Sequence, residues 1–121
     1  MSLQLGDADD ESVLDREVLE SLRQIAGDKA ESFLREIIDR YLLEDAPQRL
    51  QDIRDAVAVG DAGRLRQSAH ALRSSSATLG AVTLANLCKD LEMMGCAGII
   101  TDAAPLIAQV EAEYEKVKVI L

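Results

Sequence analysis

The sequence predicts an all-α domain, an antiparallel up-down four-helix bundle with a short additional helix at its N-terminus. Three observations predict this class. Leu and Ala each occur 17 times among 121 residues, and both favour helices over strands. Apolar residues recur three and four positions apart, which places them on one face of a helix. Glycines separate the apolar segments, and a chain of this length supports a single domain.

The N-terminal part of the chain combines an acidic segment with a short helix. Residues 1–12 carry four acidic side chains and few apolar ones, a composition typical of a disordered linker or lead-in. The folded domain is therefore expected to span residues 13–121. Its first helix is predicted to begin at about Asp15 and to end at Gly27. The apolar face of this helix consists of Leu14, Val18, Leu19, Leu22 and Ile25.

The second predicted helix is the longest. It begins at Asp28, whose side chain can cap the first free amides, with Glu31 in the capping-box position, and it ends at Gly60. Because Pro47 lacks an N–H and clashes with the preceding turn, we expect a kink or short break near residues 45–47. The apolar seam stays in phase across this break and consists of Leu34, Ile37, Ile38, Tyr41, Leu42, Leu50, Ile53 and Val57.

Three further helices complete the predicted bundle. The third begins after the cap residue Asp61 and ends at Gly80. The fourth spans about 81–94 and stops before the GCAG segment, and the fifth follows the cap residue Asp102, with Pro105 tolerated in its first turn. The seam of the third helix consists of Leu65, Ala69, Leu72, Ser76 and Leu79. The seam of the fourth consists of Leu84, Leu87, Cys88 and Leu91, and that of the fifth consists of Leu106, Val110, Tyr114, Val117 and Leu121.

Charge and composition exclude several classes of function. The net charge of −9 repels nucleic-acid phosphates and anionic lipids, so neither is expected as a partner. No apolar run of 18 residues is present and the N-terminus is acidic, so we expect no membrane insertion and no secretory signal. Cys88 and Cys96 are too few for a disulfide framework, which favours a cytoplasmic location. A single histidine excludes a multi-histidine zinc site.

One segment of the chain has the opposite charge. Between Asp61 and Asp90 there are four basic side chains and no acidic one, whereas the remainder has nine basic and 22 acidic side chains and a net charge of −13. The sole histidine, His70, lies in this segment. Helical steps place it about 140° from the centre of the seam, so its imidazole is expected to face solvent. Small, polar or basic residues share its side of the helix, namely Arg66, Gln67, Arg73, Ser74 and Ala77.

An exposed histidine beside arginines has two interpretations. Helix neighbours three and four residues away leave the ring sterically open, which suits a nucleophile that receives a partner. The same arrangement is also common on a solvated helix face without any chemistry. Spacing alone leaves both interpretations open.

The segment from Ser68 to Glu92, SAHALRSSSATLGAVTLANLCKDLE, resembles the signature of histidine-containing phosphotransfer (HPt) domains. In that signature a histidine is followed by an apolar residue, a basic residue and a glycine, and later by Gly-Ala-x-x-Leu and Leu-Cys-x-x-Leu-Glu elements. The corresponding positions are His70, Leu72, Arg73, Ser74, Gly80, Ala81, Leu84, Leu87, Cys88, Leu91 and Glu92. The resemblance extends over essentially residues 14–121, because the five-helix layout is also the family's.

The resemblance implies a phosphocarrier. His70 would attack the acyl phosphate on an aspartate of a response-regulator receiver domain and pass the phosphoryl group to another receiver. Arg73, and more weakly Arg66, would neutralise the phosphoryl oxygens. Glu92 would accept a hydrogen bond from Nδ1–H, fix the tautomer and leave Nε2 free to attack. The alternative for Glu92 is a surface carboxylate paired with Lys89 or with no partner.

The receiver is expected to dock around His70, on Arg66, Gln67, Ser74, Ala77 and Lys89. No cofactor is expected in this chain, since Mg²⁺ would lie on the receiver. The sequence departs from the family pattern at two positions. Ser74 replaces the usual glycine, which leaves open a shifted partner preference or weaker transfer. Arg73 replaces the commoner lysine, which keeps the charge and changes its geometry.

Three functional interpretations follow from the resemblance. The leading one is the HPt module of a multistep two-component phosphorelay, a monomer that forms the C-terminal part of a hybrid sensor histidine kinase. The alternative is a helical-bundle adaptor that binds a receiver or another signalling partner without transferring phosphate, as the departure at Ser74 suggests. The third is the phosphoacceptor module of a chemotaxis-type kinase. The sequence has no nucleotide-binding motif, so the chain is not expected to be an enzyme by itself.

Overall fold

The computed structural model describes residues 13–121, which contain no strand and are helical along most of their length. The helices in this range are α1 (Arg16–Ala26), α2 (Ala30–Arg40), α3 (Ala46–Val59), α4 (Ala62–Thr78), α5 (Val82–Ala97) and α6 (Ala103–Ile120). A 3₁₀ turn, Gly27–Lys29, precedes α2, and a π-helical turn, Tyr41–Asp45, joins α2 to α3. The predicted second helix therefore corresponds to α2, the π turn and α3 in uninterrupted succession.

Helices α3, α4, α5 and α6 form the four-helix bundle. α3 packs on α4, α4 on α5 and α5 on α6, while α6 contacts α3 and closes the ring. Links of two, three and five residues join them, so successive helices run antiparallel. The centre of the bundle is aliphatic and fully buried, and it includes Ile53, Leu65, Leu72, Leu84, Leu91, Val110 and Val117. The predicted all-α bundle with a short N-terminal helix is confirmed.

The break expected at Pro47 is a π-helical turn. The N–H of Ala46 donates to the carbonyl of Tyr41, five residues earlier. This wider turn lies immediately before Pro47, which occupies the first turn of α3, where a missing N–H costs least. The turn also buries Tyr41, whose hydroxyl lies 2.8 Å from the Ser76 hydroxyl of α4. The distortion therefore changes the helix register without interrupting the core.

The capping box predicted at Asp28 is wrong. Asp28 lies within the 3₁₀ turn, and the residue that precedes α2 is Lys29, which makes no side-chain capping bond. The predicted cap at Asp61 is present, with its carboxylate accepting from the amide of Arg64 at 3.0 Å. Asp15, near which the first helix was expected to begin, caps α1 by accepting from the amide of Glu17 at 3.0 Å. A further expected cap, Asp102, precedes α6 without making a side-chain hydrogen bond.

The fourth predicted helix was too short at its C-terminal end. α5 continues through Gly95 to Ala97 and ends at Gly98, which has a left-handed φ of 72°. A Cβ atom at Gly95 would lie 2.8 Å from the backbone nitrogen of Arg66 and 2.9 Å from the carbonyl oxygen of Ala62. Gly95 therefore lets α5 approach α4 closely, instead of ending the helix.

The N-terminal segment packs on the link between α4 and α5. Val13 and Leu14 are buried, and the amide of Asp15 donates to the carbonyl of Gly80 at 2.6 Å. On α1, Ile25 was predicted on the apolar face but is 78% exposed, whereas Leu19 and Leu22 of the same face pack against the core. The disordered linker predicted for residues 1–12 lies outside the described residues.

Candidate functional site

His70 lies in the middle of α4, on the side that faces away from the bundle axis. Ala69 and Leu72 hold this part of α4 in the core and are fully buried, whereas the His70 side chain is 56% exposed. The predicted orientation of the imidazole toward solvent is confirmed. The ring is therefore accessible while the helix that carries it is fixed by packing.

Glu92 approaches His70 from the adjacent helix α5. Its Oε2 lies 2.9 Å from Nδ1 of the imidazole, and its side chain is only 20% exposed. An ionised carboxylate only accepts hydrogen bonds, so this short contact requires Nδ1 to carry the proton and to donate it. In the neutral ring, Nε2 then keeps its lone pair. The contact joins residues 22 positions apart and depends on the antiparallel register of α4 and α5.

Arg73 lies against the same carboxylate and the same ring nitrogen. Its Nε is 2.9 Å from Oε1 of Glu92, and its Nη2 is 3.1 Å from Nδ1 of His70. The Nε contact is an ion pair whose angle falls outside hydrogen-bond geometry. A guanidinium has only donors, so Nη2 makes no hydrogen bond to a protonated Nδ1. Arg73 therefore contributes positive charge on the Nδ1 side of the ring.

The comparisons with known proteins agree with this geometry. The sequence profile described as "Hpt domain" matches residues 38–119, which is more than half of the chain. This chain belongs to the Hpt domain family. It also resembles the crystal structure of histidine-containing phosphotransfer protein B (HptB) from Pseudomonas aeruginosa PAO1, with 34% sequence identity and a TM-score of 0.79 over 89% of this chain and 90% of that one. No curated protein matched the chain.

Membership in the family gives the Hpt domain a general role as a histidine-containing phosphotransfer carrier. The matched range includes His70, Arg73 and Glu92, the three residues that the bundle brings together.

The remaining predicted residues lie on the exposed surface of α4 and α5. On α4, Arg66, Gln67, Ser74 and Ala77 are exposed, and on α5 Lys89 is exposed. Within residues 13–121, neither Arg66 nor Lys89 forms an ion pair. The alternative pairing of Glu92 with Lys89 is therefore wrong, because Arg73 occupies the position beside that carboxylate. Arg66 and Lys89 therefore provide two exposed positive charges on the same surface as His70.

The two cysteines differ sharply in environment. Cys88 is fully buried in the seam of α5, as predicted, and burial raises the pKa of its thiol to about 12, slightly opposed by the positive charge of Arg73. Cys96 was predicted in a loop but lies in α5, where it is exposed. Neither cysteine contacts His70 in the described part of the chain.

The site is an open surface instead of a pocket. A groove of about 430 Å³ lies nearby, between α2 and the C-terminal end of α4, and contains none of the predicted site residues. Among residues 13–121, no group of three or more His, Cys, Asp or Glu side chains is arranged to hold a metal ion. No helix in that range is both long and apolar enough to cross a bilayer.

Sequence reasoning missed the pairing of Arg73 with Glu92. It placed Arg73 toward the phosphoryl oxygens, an expectation that stays a prediction, whereas the guanidinium lies beside the opposite nitrogen. The sequence did contain a signal for this ion pair, because an arginine one turn after the histidine and a glutamate on the facing helix carry opposite charges. The choice among the rotamers of a long side chain depends on the spacing of α4 and α5.

Proposed function

We propose that this Hpt domain carries a phosphoryl group on Nε2 of His70 between the aspartates of receiver domains in a multistep two-component phosphorelay. The observation that carries the proposal is the different environment of the two ring nitrogens. Glu92 occupies Nδ1 at 2.9 Å, while the side chain of His70 is 56% exposed. Nε2 thus combines a free lone pair with an open approach.

The proposed step is a displacement at phosphorus. The lone pair of Nε2 attacks the phosphorus of the receiver's aspartyl phosphate, the bond between phosphorus and the aspartate oxygen breaks, and the carboxylate leaves with its electron pair. The proton on Nδ1 stays in place, so the ring gains positive charge as the new bond forms. Glu92 faces that charge at 2.9 Å and stabilises it. The reverse step returns the phosphoryl group to a second receiver.

Catalysis of this step needs positioning and charge neutralisation more than covalent chemistry. The α4 backbone fixes the position of His70, and Glu92 fixes the ring orientation. The Mg²⁺ ion expected for the reaction belongs to the receiver. The Hpt domain supplies the nucleophile and a surface on which the receiver docks.

The docking surface proposed around His70 is small and basic. Arg66 and Lys89 are exposed and make no ion pair to a described residue, so they are available to an acidic partner. Ser74 and Ala77 are short side chains on the same side of α4 and allow close approach. The basic segment lies in a chain whose remainder has a net charge of −13, which orients an acidic partner toward His70.

The test is transfer from phosphorylated receivers. Receiver domains encoded in the source genome are phosphorylated with radiolabelled acetyl phosphate and mixed with the Hpt domain. We expect at least one receiver to label the Hpt domain with a phosphate that is labile in acid and stable in alkali, and His70→Gln to remove the label. Labelling that persists in His70→Gln would overturn the assignment. Arg64→Gln, which removes an arginine on another face of α4, is the control and should be labelled normally.

The adaptor alternative makes a different prediction for the same site. An adaptor would bind receivers without becoming labelled, and a His70→Ala variant would keep its regulatory effect. Its motivation is Ser74, which is exposed and adds a side chain where the family usually has none. A carrier loses its effect in His70→Ala, so this variant separates the two functions.

The wider setting is also part of the proposal. We propose that the domain works as a cytoplasmic monomer and that a hybrid sensor kinase in the same polypeptide supplies the phosphoryl group through its receiver. In a chemotaxis-type module, a kinase domain would instead donate directly from ATP. Labelling by a phosphorylated receiver without ATP favours the phosphorelay.

A further inference from the structure

The charges around the His70 ring are arranged asymmetrically. Glu92 and Arg73 contact the Nδ1 side, at 2.9 Å and 3.1 Å, while Nε2 lies across the ring from both. The other nearby cations are Arg66, one turn earlier on α4, and Lys89, one turn from Glu92 on α5, and neither contacts the ring or the carboxylate in the described part of the chain. Arg73 is therefore the cation that acts most directly on the His70–Glu92 pair.

The position of Arg73 determines whether it stabilises or destabilises phosphohistidine. Phosphorylation at Nε2 with Nδ1–H retained gives a ring with positive charge, which Glu92 stabilises. Arg73 shares the charge of Glu92 through the 2.9 Å ion pair and also brings its own positive charge to 3.1 Å from Nδ1. Both effects disfavour the charged ring. Solvent screens both effects only in part, because the Glu92 and Arg73 side chains are 20% and 35% exposed.

We propose that Arg73 is a positioning residue that acts through Glu92 to weaken the stabilisation of phosphohistidine and so keeps the phosphoryl group easy to transfer onward. The proposal rests on the proposed carrier function and extends it to the regulation of its equilibrium. In this arrangement the carboxylate holds the ring in the reactive tautomer, while the guanidinium prevents that carboxylate from trapping the product.

A role for Arg73 as a ligand of the phosphoryl oxygens predicts the opposite sign. A guanidinium on the oxygens would stabilise phosphohistidine, so its removal would shift the phosphoryl group back to the receiver. A guanidinium beside Nδ1 and Glu92 destabilises phosphohistidine, so its removal shifts the phosphoryl group toward the Hpt domain. One equilibrium measurement therefore separates the two roles.

The first measurement is the equilibrium ratio of phosphorylated Hpt domain to phosphorylated receiver at pH 8. We expect Arg73→Gln to raise this ratio by about threefold, the size expected for a partly exposed charge contact. Arg73→Lys restores the charge and should return the ratio toward the wild-type value. Arg64→Gln removes the same charge from another face of α4, where Arg64 pairs with Asp52 and Asp55, and should leave the ratio unchanged. An unchanged or lowered ratio in Arg73→Gln would overturn the proposal.

The second measurement needs no receiver and keeps the two proposals separable. The purified domain is phosphorylated on histidine with phosphoramidate, and ¹⁵N NMR follows the pH at which the phosphorylated ring loses its Nδ1 proton. We expect that pH to be higher in Arg73→Gln than in the wild type, because the charged ring is stabilised. An unchanged or lower value overturns the role of Arg73, whereas failure of every receiver to label His70 overturns the carrier function alone.

Discussion

The two nitrogens of the His70 ring have different environments in this Hpt domain. Nδ1 donates to Glu92 at 2.9 Å and is held in place by it. Nε2 is left with its lone pair on the exposed side of a ring that α4 fixes to the bundle. A surface histidine without such a partner would exchange between tautomers and orientations, and only part of its population would be ready to attack.

Replacing Glu92 separates the hydrogen bond from the charge. Glu92→Leu removes the acceptor, so we expect the rate of transfer from a phosphorylated receiver to fall by about tenfold or more, as for other partners that orient a histidine. Glu92→Gln keeps an oxygen acceptor and should retain most of the rate. Rapid-quench kinetics measure the rates, and ¹⁵N shifts of the ring measure the tautomer. Equal rates in the two variants would show that the tautomer is not what Glu92 controls.

The sequence predicted which residues form the site better than it predicted the contacts among their side chains. The exposure of His70 followed from helical periodicity, and its partner Glu92 followed from the family resemblance. The ion pair between Arg73 and Glu92 was not predicted. Its 2.9 Å separation between Nε and Oε1 depends on how closely α4 and α5 pack. Periodicity places a residue on a face but leaves a long side chain several directions.

The α4–α5 pair is the element that builds the site. These helices make the most extensive contact of the bundle, and His70 and Glu92 meet across it. Gly95 and the backbone of Arg66 meet about one turn further along the same interface. The close approach of the helices at Gly95 therefore lies about one turn from the contact between Nδ1 and the carboxylate.

A methyl group at Gly95 should force the two helices apart. Its Cβ would lie 2.8 Å from the Arg66 nitrogen and 2.9 Å from the Ala62 carbonyl oxygen, both backbone atoms that cannot rotate away. We expect Gly95→Ala to lower the free energy of unfolding by about 1–3 kcal/mol. Urea denaturation measures the change.

Gly63→Ala is the matched control for this prediction. The nearest atom to its added Cβ is the Asp61 carboxylate oxygen at 3.6 Å, an ordinary contact, and alanine is the better helix former. We expect this variant to be as stable as the wild type or more stable by up to about 1 kcal/mol. A Gly95→Ala variant as stable as Gly63→Ala would contradict the close-approach role of Gly95.

Helix boundaries were predictable where a local residue decides them and not where packing does. Asp61 caps as predicted, and α1 begins after Asp15 as predicted, because their side chains need only nearby amides. Gly95 was expected to end a helix because glycine is a poor helix former, yet contact with α4 overrides that propensity. The break at Pro47 was expected, but its form as a π turn with Tyr41 buried in the core was not.

At the scale of the whole molecule, two buried ionisable groups in the core should lower the stability of the fold at alkaline pH. Burial raises the pKa of the Cys88 thiol from 9.0 to about 12 and raises the pKa of Tyr41 well above its usual 10.0. Both groups lose protons more readily in the unfolded chain. Their contribution to stability is therefore fully present below about pH 9 and is lost as the pH rises toward the folded-state values.

We expect the free energy of unfolding to fall between pH 9 and pH 11, with Cys88 accounting for on the order of 2 kcal/mol at pH 10.5. Urea denaturation across this range measures the fall. A Cys88→Ala variant should show a shallower decline than the wild type, and Tyr41→Phe should do the same. Parallel declines in all three proteins would contradict the assignment of these two groups.

The charge distribution along the molecule is asymmetric. Four basic residues lie between Asp61 and Asp90, and the remainder of the chain has a net charge of −13. Composition predicted this asymmetry, and the fold places Arg66 and Lys89 of that segment on the exposed surface of the α4–α5 pair. In the proposed function, this positive charge attracts an acidic surface of the receiver to one face of an otherwise acidic protein.

The central claim is that Nε2 of His70 is the atom that carries the phosphoryl group, and NMR tests it most directly. Because the sequence has a single histidine, labelling that residue type with ¹⁵N gives the signals of one ring. After transfer from a phosphorylated receiver, we expect a one-bond ¹⁵N–³¹P coupling at Nε2, with Nδ1 still protonated. A coupling at Nδ1, or a phosphorylated protein whose ring shows no coupling to phosphorus, would contradict the account.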